Sequence, residues 1–353
     1  MTPQHRDTGT DDDRVRLRPA RRGTPPRTKV RPEHADAVPA MVLGVDRGRY
    51  ALLADDGTHL VAMKARELGR GARTAVVVGD RVGVVGDTSG RKDTLARIVR
   101  VEERATALRR SGEDGESTGV ERVIVANADQ LLIVTALAEP EPRPRMVDRC
   151  LVAAYDAGME PVLCLTKADL ADPGPFLAQY AALEVPAIVT SVAGGEVTGL
   201  DAVRERLTGR TSVLVGHSGV GKSTLINALV PDAQRATGGV NAVTGRGRHT
   251  SSSAVALALP DGGWAIDTPG VRSFGLSHVG PDDLLRAFGD LAAVAQECPR
   301  GCTHGERAPD CALDAWVASG AGGPAGQARL ESFRRLLAAR TGGADPAGFA
   351  DES

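Results

Sequence analysis

Gly216-His217-Ser218-Gly219-Val220-Gly221-Lys222-Ser223-Thr224 is the stretch from which the rest of the chain can be read. It fits G-x-x-x-x-G-K-[ST], a loop whose backbone N–H groups cradle phosphates. The apolar run Ser212-Val213-Leu214-Val215 leads in as a buried strand, and Leu225-Ile226-Asn227-Ala228-Leu229 leads out as a helix. Strand, Gly-rich turn and helix place a helix N-terminus against bound phosphate. Lys222 is then expected to reach the β- and γ-phosphates, and the Ser223 hydroxyl to ligate Mg²⁺.

The 353 residues predict two or three domains. Apolar residues make up 42%, enough for real cores, and the net charge of −2 excludes a polycation, so any nucleic-acid contact must come from local patches. Aromatics at 3% argue against base stacking as the main recognition mode. The longest apolar candidate, Val123 to Leu137, is interrupted by Asn127, Asp129 and Gln130, so neither a membrane span nor a signal peptide is expected. A cytoplasmic protein follows from this reading. Five cysteines, three of them clustered, fit a metal site in a reducing compartment better than a disulfide framework.

Composition divides the chain into six parts. Residues 1–38 lack apolar periodicity and carry acidic then basic runs, which predicts a disordered tail; an RNA-binding arm and a merely solvated tail are both open. Residues 39–108 alternate short apolar runs with Gly/Asp turns: Met41–Gly44, Tyr50–Leu53, Leu60–Met63, Val76–Asp80, Val82–Val85 and Leu95–Val99. About five strands in such a span suggest a small all-β barrel of OB type, which either binds nucleic acid or supports a neighbour. Residues 109–120 read as a linker loop. Residues 121–280 alternate strands (Gln130–Thr135, Glu160–Leu165, Val185–Val189) with helices (Met146–Ala157, Leu200–Leu207), the pattern of an α/β parallel sheet. Cys150 and Cys164 fall on its apolar faces as core residues. A small, mostly α segment occupies 281–340, and 341–353 reads as a disordered tail.

Further motifs give the nucleotide site its chemistry. Thr166-Lys167-Ala168-Asp169 follows a buried strand and resembles [NT]-K-x-D, in which the carboxylate of Asp169 accepts N1–H and N2–H of guanine. Lys167 would lie along the base plane, and Thr166 would contribute one hydroxyl hydrogen bond. Thr190-Ser191-Val192-Ala193 is placed to close over the base through Ser191, with an ordinary turn as the alternative. Asp267-Thr268-Pro269-Gly270 ends a strand, with Asp267 on Mg²⁺ and the Gly270 N–H at the γ-phosphate. Val271 stands where many GTPases orient water with Gln, which predicts slow intrinsic turnover. Between these lies a Gly/Arg-rich segment ending Gly247-Arg248-His249-Thr250. Thr250, ahead of Thr237 and Thr244, is the expected switch threonine on Mg²⁺; His249 either orients the attacking water or is a surface residue. Downstream, Cys298, Cys302, His304 and Cys311 form a Cys₃His set with no open position, expected to hold one structural Zn²⁺. Arg329, Arg334, Arg335 and Arg340 are expected to give the last helix a basic side.

The order of these motifs is unusual, with Asp169 and Ser191 before Gly216 and Asp267 last, as a circular permutation would produce. Permuted motifs, an N-terminal barrel and a C-terminal Cys₃His knuckle together resemble the ribosome small-subunit-dependent GTPase A family. The resemblance includes Val125-Ala126-Asn127-Ala128-Asp129-Gln130, Gly247–Thr250 and Asp267-Thr268-Pro269-Gly270-Val271-Arg272. It implies an OB barrel, a circularly permuted GTPase domain and a zinc domain gripping the small ribosomal subunit and its rRNA. It also implies binding of GTP and GDP, GTP hydrolysis stimulated by the subunit in late ribosome maturation, and a catalytic role for His249 beside Lys222 and Thr250. A monomer with no membrane partner is expected. The alternative function is a nucleotide-dependent RNA-binding switch with negligible turnover. The chain departs from the family's habit at Thr166, where Asn is more frequent, and in the three-residue gap between Cys298 and Cys302, where relatives often have four.

Overall fold

The first five strands close into a ring. They are β1 (Val38–Asp46), β2 (Arg49–Ala54), β3 (His59–Lys64), β4 (Arg81–Gly86) and β5 (Ala96–Val101). In a computed structural model that describes residues 34–69, 75–111, 121–193, 196–231, 254–268, 274, 276 and 278–340, β1 pairs antiparallel with both β2 and β4, while β3 pairs parallel with β5. The circuit β1-β2-β3-β5-β4-β1 is the expected barrel. Its inward positions are filled by Ala40, Val42, Leu52, Leu60, Ala62, Val82, Val84 and Ile98. Arg47 and Gly48, both at positive φ, form the two-residue turn that joins β1 to β2.

Two sequence-based expectations change here. The apolar run Val76–Asp80 is not a strand of the barrel. Val76, Val77 and Val78 are buried, yet only Val78 makes a bridge, and its partner is Val125. The run is apolar because it lies between the barrel and the next domain, with its backbone bonded to Val42 on one side and Ala126 on the other. Residues 109–111, assigned to a linker by composition, belong to β6 (Ala107–Ser111), which pairs antiparallel with β7 (Glu121–Ala126).

The α/β sheet begins with β8 (Gln130–Ala136), buried along its whole length. It continues through α1 (Pro144–Ala157), β9 (Glu160–Thr166), the short α2 (Gly174–Ala178) and β10 (Ala187–Val189). A hairpin follows, β11 (Ser191–Ala193) and β12 (Glu196–Thr198), then α3 (Leu200–Leu207), β13 (Thr211–Val215) and α4 (Lys222–Leu229). β14 (Val255–Ala258) and β15 (Trp264–Asp267) complete it. The strand order is β10-β9-β8-β13-β15-β14, parallel except for antiparallel β14 at the edge. Apolar clusters cover both faces. Cys150 and Cys164 lie in them, and burial pushes both thiols up to about 12, as core cysteines should be.

Barrel and sheet are hydrogen-bonded to one another, because β14 pairs with β1 at Gly44 and Val255. The Val125–Gln130 stretch forms the second joint. The Asn127 side chain donates to the Gly79 carbonyl at 3.0 Å and accepts from the Ala105 N–H at 2.9 Å. Asp80, wholly buried, accepts two bonds from Arg104 at 2.7 and 2.8 Å and one from the Val77 N–H.

The C-terminal helices are α5 (Pro281–Leu285), α6 (Gly289–Ala295), α7 (Ala312–Ala318) and α8 (Gly326–Arg340). α8 packs on α1 through Phe333, which stacks edge-on with Phe288 at 5.5 Å; Phe288 in turn meets Tyr155 of α1 at 6.2 Å. The basic side expected for this helix is spent internally. Arg329 binds Glu184, Asp290 and the Ala182 carbonyl; Arg334 grips Asp314 with two bonds; Arg335 meets Asp148 and the Gln179 carbonyl; Arg340 donates to the Val279 carbonyl. No helix among the described residues is long and apolar enough to cross a membrane.

Gly79 sits at φ +86°, and a Cβ there would lie 1.9 Å from the Ala126 carbonyl oxygen. Gly79→Ala is therefore expected to cost more than about 3 kcal/mol, the high end for one substitution, read as a lowered midpoint in chemical denaturation.

Candidate nucleotide and metal sites

The nucleotide site forms at the carboxyl ends of the parallel strands, where helices begin and ligands bind in such sheets. β13 runs into the loop Gly216–Gly221, and α4 starts at Lys222. Gly221 at φ +92° makes the bend into the helix. Gly216 is tight: a Cβ there would meet the Val134 carbonyl at 2.5 Å. No side chain caps α4, so its first-turn N–H groups are left for an anion. Ser223 and Thr224 are exposed on that first turn.

Lys222, at the start of α4, forms an ion pair with Asp267 at the end of β15. Thr268, buried, donates its hydroxyl to the Leu214 carbonyl at 2.9 Å and so fixes Asp267 beside the loop. A cationic amine and a carboxylate at one strand edge suit a phosphate and its divalent counterion respectively.

The expected guanine motif lies at the end of β9. Asp169 is exposed and has no partner among the described residues. Thr166 has a partner the sequence did not reveal. Its hydroxyl is buried and donates to the Val220 carbonyl at 2.6 Å, so it braces the phosphate loop. Lys167 reaches the Glu139 carbonyl. The Ala168 N–H bonds the Thr190 carbonyl at 3.2 Å, which brings Ser191 alongside the motif. Ser191 is in neither an open loop nor an ordinary turn: it starts the β11–β12 hairpin, and its hydroxyl shares a 2.7 Å bond with that of Thr198. His249, Thr250, Gly270 and Val271, with Thr237 and Thr244, lie outside the described residues.

Sequence reasoning missed the segment Glu139-Pro140-Glu141. Besides receiving Lys167, it sets Pro140 next to Gly219 of the phosphate loop, 3.6 Å from where a Cβ would stand. The available signal was a Pro-rich turn at the carboxyl end of a buried parallel strand, where ligand sites form.

In the C-terminal segment, one donor atom from each of Cys298, Cys302, His304 and Cys311 lies within 4.8 Å of the others. His304 Nδ1 is 3.6 Å from the Cys298 sulfur and 3.8 Å from that of Cys311, and the two sulfurs are 4.0 Å apart. A tetrahedral ion with metal–sulfur bonds of about 2.3 Å needs donor separations of roughly 3.5–3.8 Å. The four residues therefore fit a closed metal site. Backbone N–H groups of His304 and Ala312 point at the Cys302 and Cys298 sulfurs, at 3.4 and 3.3 Å, which favours thiolates. Burial pushes the Cys311 thiol up to about 11, a cost that a bound cation would offset by stabilising the thiolate, and pushes the His304 imidazole down, which favours the neutral form that ligates metals. His304 also stacks on Phe333 at 6.5 Å, which joins the metal site to the α8–α1 contact.

Thr166→Val keeps the shape of the side chain and removes the hydroxyl that holds the loop. Loss of one buried hydrogen bond of about 1 kcal/mol should weaken nucleotide binding roughly fivefold, with the preference for GTP over ATP retained; competition titration measures both.

The comparisons with known proteins agree with this arrangement. The model of the RsgA GTPase family matches residues 101–277. "Small ribosomal subunit biogenesis GTPase RsgA" of Pseudomonas putida is 38% identical over 271 residues, 75% of each chain. Its namesake in Pseudomonas aeruginosa is 40% identical over 227 residues, 62% of this chain and 65% of the other. In fold, the chain is similar to YjeQ from Thermotoga maritima, with a TM-score of 0.61 at 24% identity over 86% of this chain and 99% of that one. YloQ, described as a circularly permuted GTPase, gives 0.60 at 21% identity over 88% and 97%. With its phosphate loop on a central strand that follows the expected guanine motif in the chain, this protein belongs to the RsgA GTPase family and is a circularly permuted GTPase that hydrolyses GTP.

Proposed function

We propose that this GTPase acts on the small ribosomal subunit late in its maturation, docking against rRNA and hydrolysing GTP there at a rate the subunit raises. The match over 75% of both chains to relatives named for small-subunit biogenesis carries the reading. The fold supports it, since barrel and C-terminal helices are both joined directly to the nucleotide-binding sheet: one through β1–β14, the other through α8 on α1. A large partner that touches either flank thus gains mechanical access to the phosphate site. We read the protein as a cytoplasmic monomer.

In the site, backbone N–H groups of Gly216–Thr224 and the Lys222 ammonium hold the phosphates. Asp169 pairs with guanine and gives specificity for GTP over ATP, Lys167 lines the base, and Ser191 closes the hairpin beside it. Thr166 acts one step removed, through Val220. Ser223, Thr250 and Asp267 are the Mg²⁺ residues, and the ion when bound neutralises charge building on the β- and γ-phosphate oxygens. The Gly270 N–H is assigned to the γ-phosphate and His249 to the attacking water, both on sequence grounds. The Cys₃His set holds one structural Zn²⁺, chosen over other ions by its soft thiolate donors and closed tetrahedral spacing.

GTP turnover titrated with purified small subunits is expected to rise at least about tenfold, a barrier change near 1.4 kcal/mol, and to saturate at one subunit per chain. A flat titration overturns the proposal. Elemental analysis should find one zinc per chain, and its removal by a strong chelator should lower the helical signal of the C-terminal segment. A zinc-free preparation with unaltered folding would refute the metal assignment.

A further inference from the structure

The antiparallel register of β6 and β7 puts Arg110 directly opposite Arg122. Residues opposed in this way share one face of the strand pair, with Cβ atoms about 5 Å apart. Two guanidinium groups are thus rooted side by side, and neither can shed its charge. Like charges in this arrangement are destabilising. Other arginines nearby in the chain show what a satisfied one has. Arg81 meets Asp55 at 2.7 Å, and Arg104 meets the buried Asp80 at 2.7 Å. Arg109, next along β6, belongs to the other face and lies 4.0 Å from Asp156 of α1. The side chains of Arg110, half-buried, and Arg122, exposed, have neither a hydrogen bond nor an ion pair among the described residues.

Such a pair costs stability in the free chain and recovers it when an anion sits between the two groups. Guanidinium groups match phosphate, because their planar forks make parallel N–H···O bonds to its oxygens. A backbone phosphodiester has two non-bridging oxygens, one for each arginine. The covered stem of Arg110 has less rotamer freedom to lose when the contact forms. Two arginines on an open strand face enclose no free ion, whereas on a polyanion the same contact adds to others made elsewhere on the surface.

We propose that Arg110 and Arg122 together clamp a backbone phosphate of the small-subunit RNA. The proposal rests on the reading of this protein as a small-subunit factor and adds to it a contact site on the β6–β7 strand pair. The clamp reads no base; it fixes where the strand pair lies along the RNA backbone.

Two measurements on the full chain test it: thermal unfolding of the free protein, and binding to purified small subunits across a salt series with a non-hydrolysable GTP analogue. In the free protein, Arg110→Gln and Arg122→Gln should each raise the midpoint by about 1–2 °C, because each removes one of two opposed charges. Each should weaken subunit binding about tenfold at low salt and lower the slope of log affinity against log salt by about one. Arg122→Glu gives Arg110 a partner inside the chain, so it should raise the midpoint further and lose at least as much affinity. The same losses should appear with protein-free RNA extracted from the subunits. A lower midpoint in the Gln variants means that the pair is already satisfied within the chain, and overturns the proposal. An unchanged salt slope overturns it too, as does a loss confined to intact subunits, which would make the partner a ribosomal protein. If wild type binds no subunits, the functional reading falls and the clamp with it; if wild type and variants bind equally well, the clamp alone falls.

Discussion

The ion pair between Lys222 and Asp267 joins groups 45 residues apart in sequence. It exists because β13 and β15 are adjacent parallel strands in register, with Leu214 opposite Asp267. The candidate nucleotide site depends on this adjacency. The same edge receives the end of β9 with Thr166 and Lys167, and the end of β8 with Glu139 and Pro140. A parallel sheet puts all of its carboxyl ends on one side, so residues distant in sequence converge without any long loop. It also explains why permutation is tolerated. Strand neighbours, and not chain order, decide which side chains meet.

The domains flanking this sheet are held by polar contacts as much as by apolar packing. Asp80 is completely buried at the barrel joint, and Arg104 with the Val77 N–H satisfies it. Breaking one partner of such a pair strands a charge, whereas the intact pair adds little net stability. Such a joint specifies geometry more than it adds strength. The C-terminal joint follows the same logic. Asp148 is buried in α1 and pushed above the usual carboxylate range, with the Arg335 guanidinium opposing that rise. Four arginines of α8 anchor it to α1, α6, α7 and the nearby loops, so a helix that reads as basic presents those charges inward. The His304–Phe333–Phe288–Tyr155 stack runs through the same contact.

The sequence by itself determined the chemistry whose geometry is local. Gly216–Thr224 dictates a phosphate loop because the bend, the N–H groups and the lysine are encoded within nine residues. The Cys₃His set is legible for the same reason: its ligands span 14 residues. Barrel strands and sheet strands announce themselves through apolar periodicity, and motif order is enough to reveal the permutation. Tertiary structure decided whatever depends on a distant partner. Val76–Asp80 reads as a strand because burial between two domains and burial inside a barrel leave the same apolar trace. That Thr166 braces the phosphate loop is visible only when Val220, 54 positions away, is seen accepting its hydroxyl. Arg329 to Arg340 read as a free basic face until the carboxylates and carbonyls that meet them are in place. Local pattern fixes what a side chain can do, but the neighbour that uses a hydrogen bond or a charge comes from another part of the chain, and only folding brings the two together.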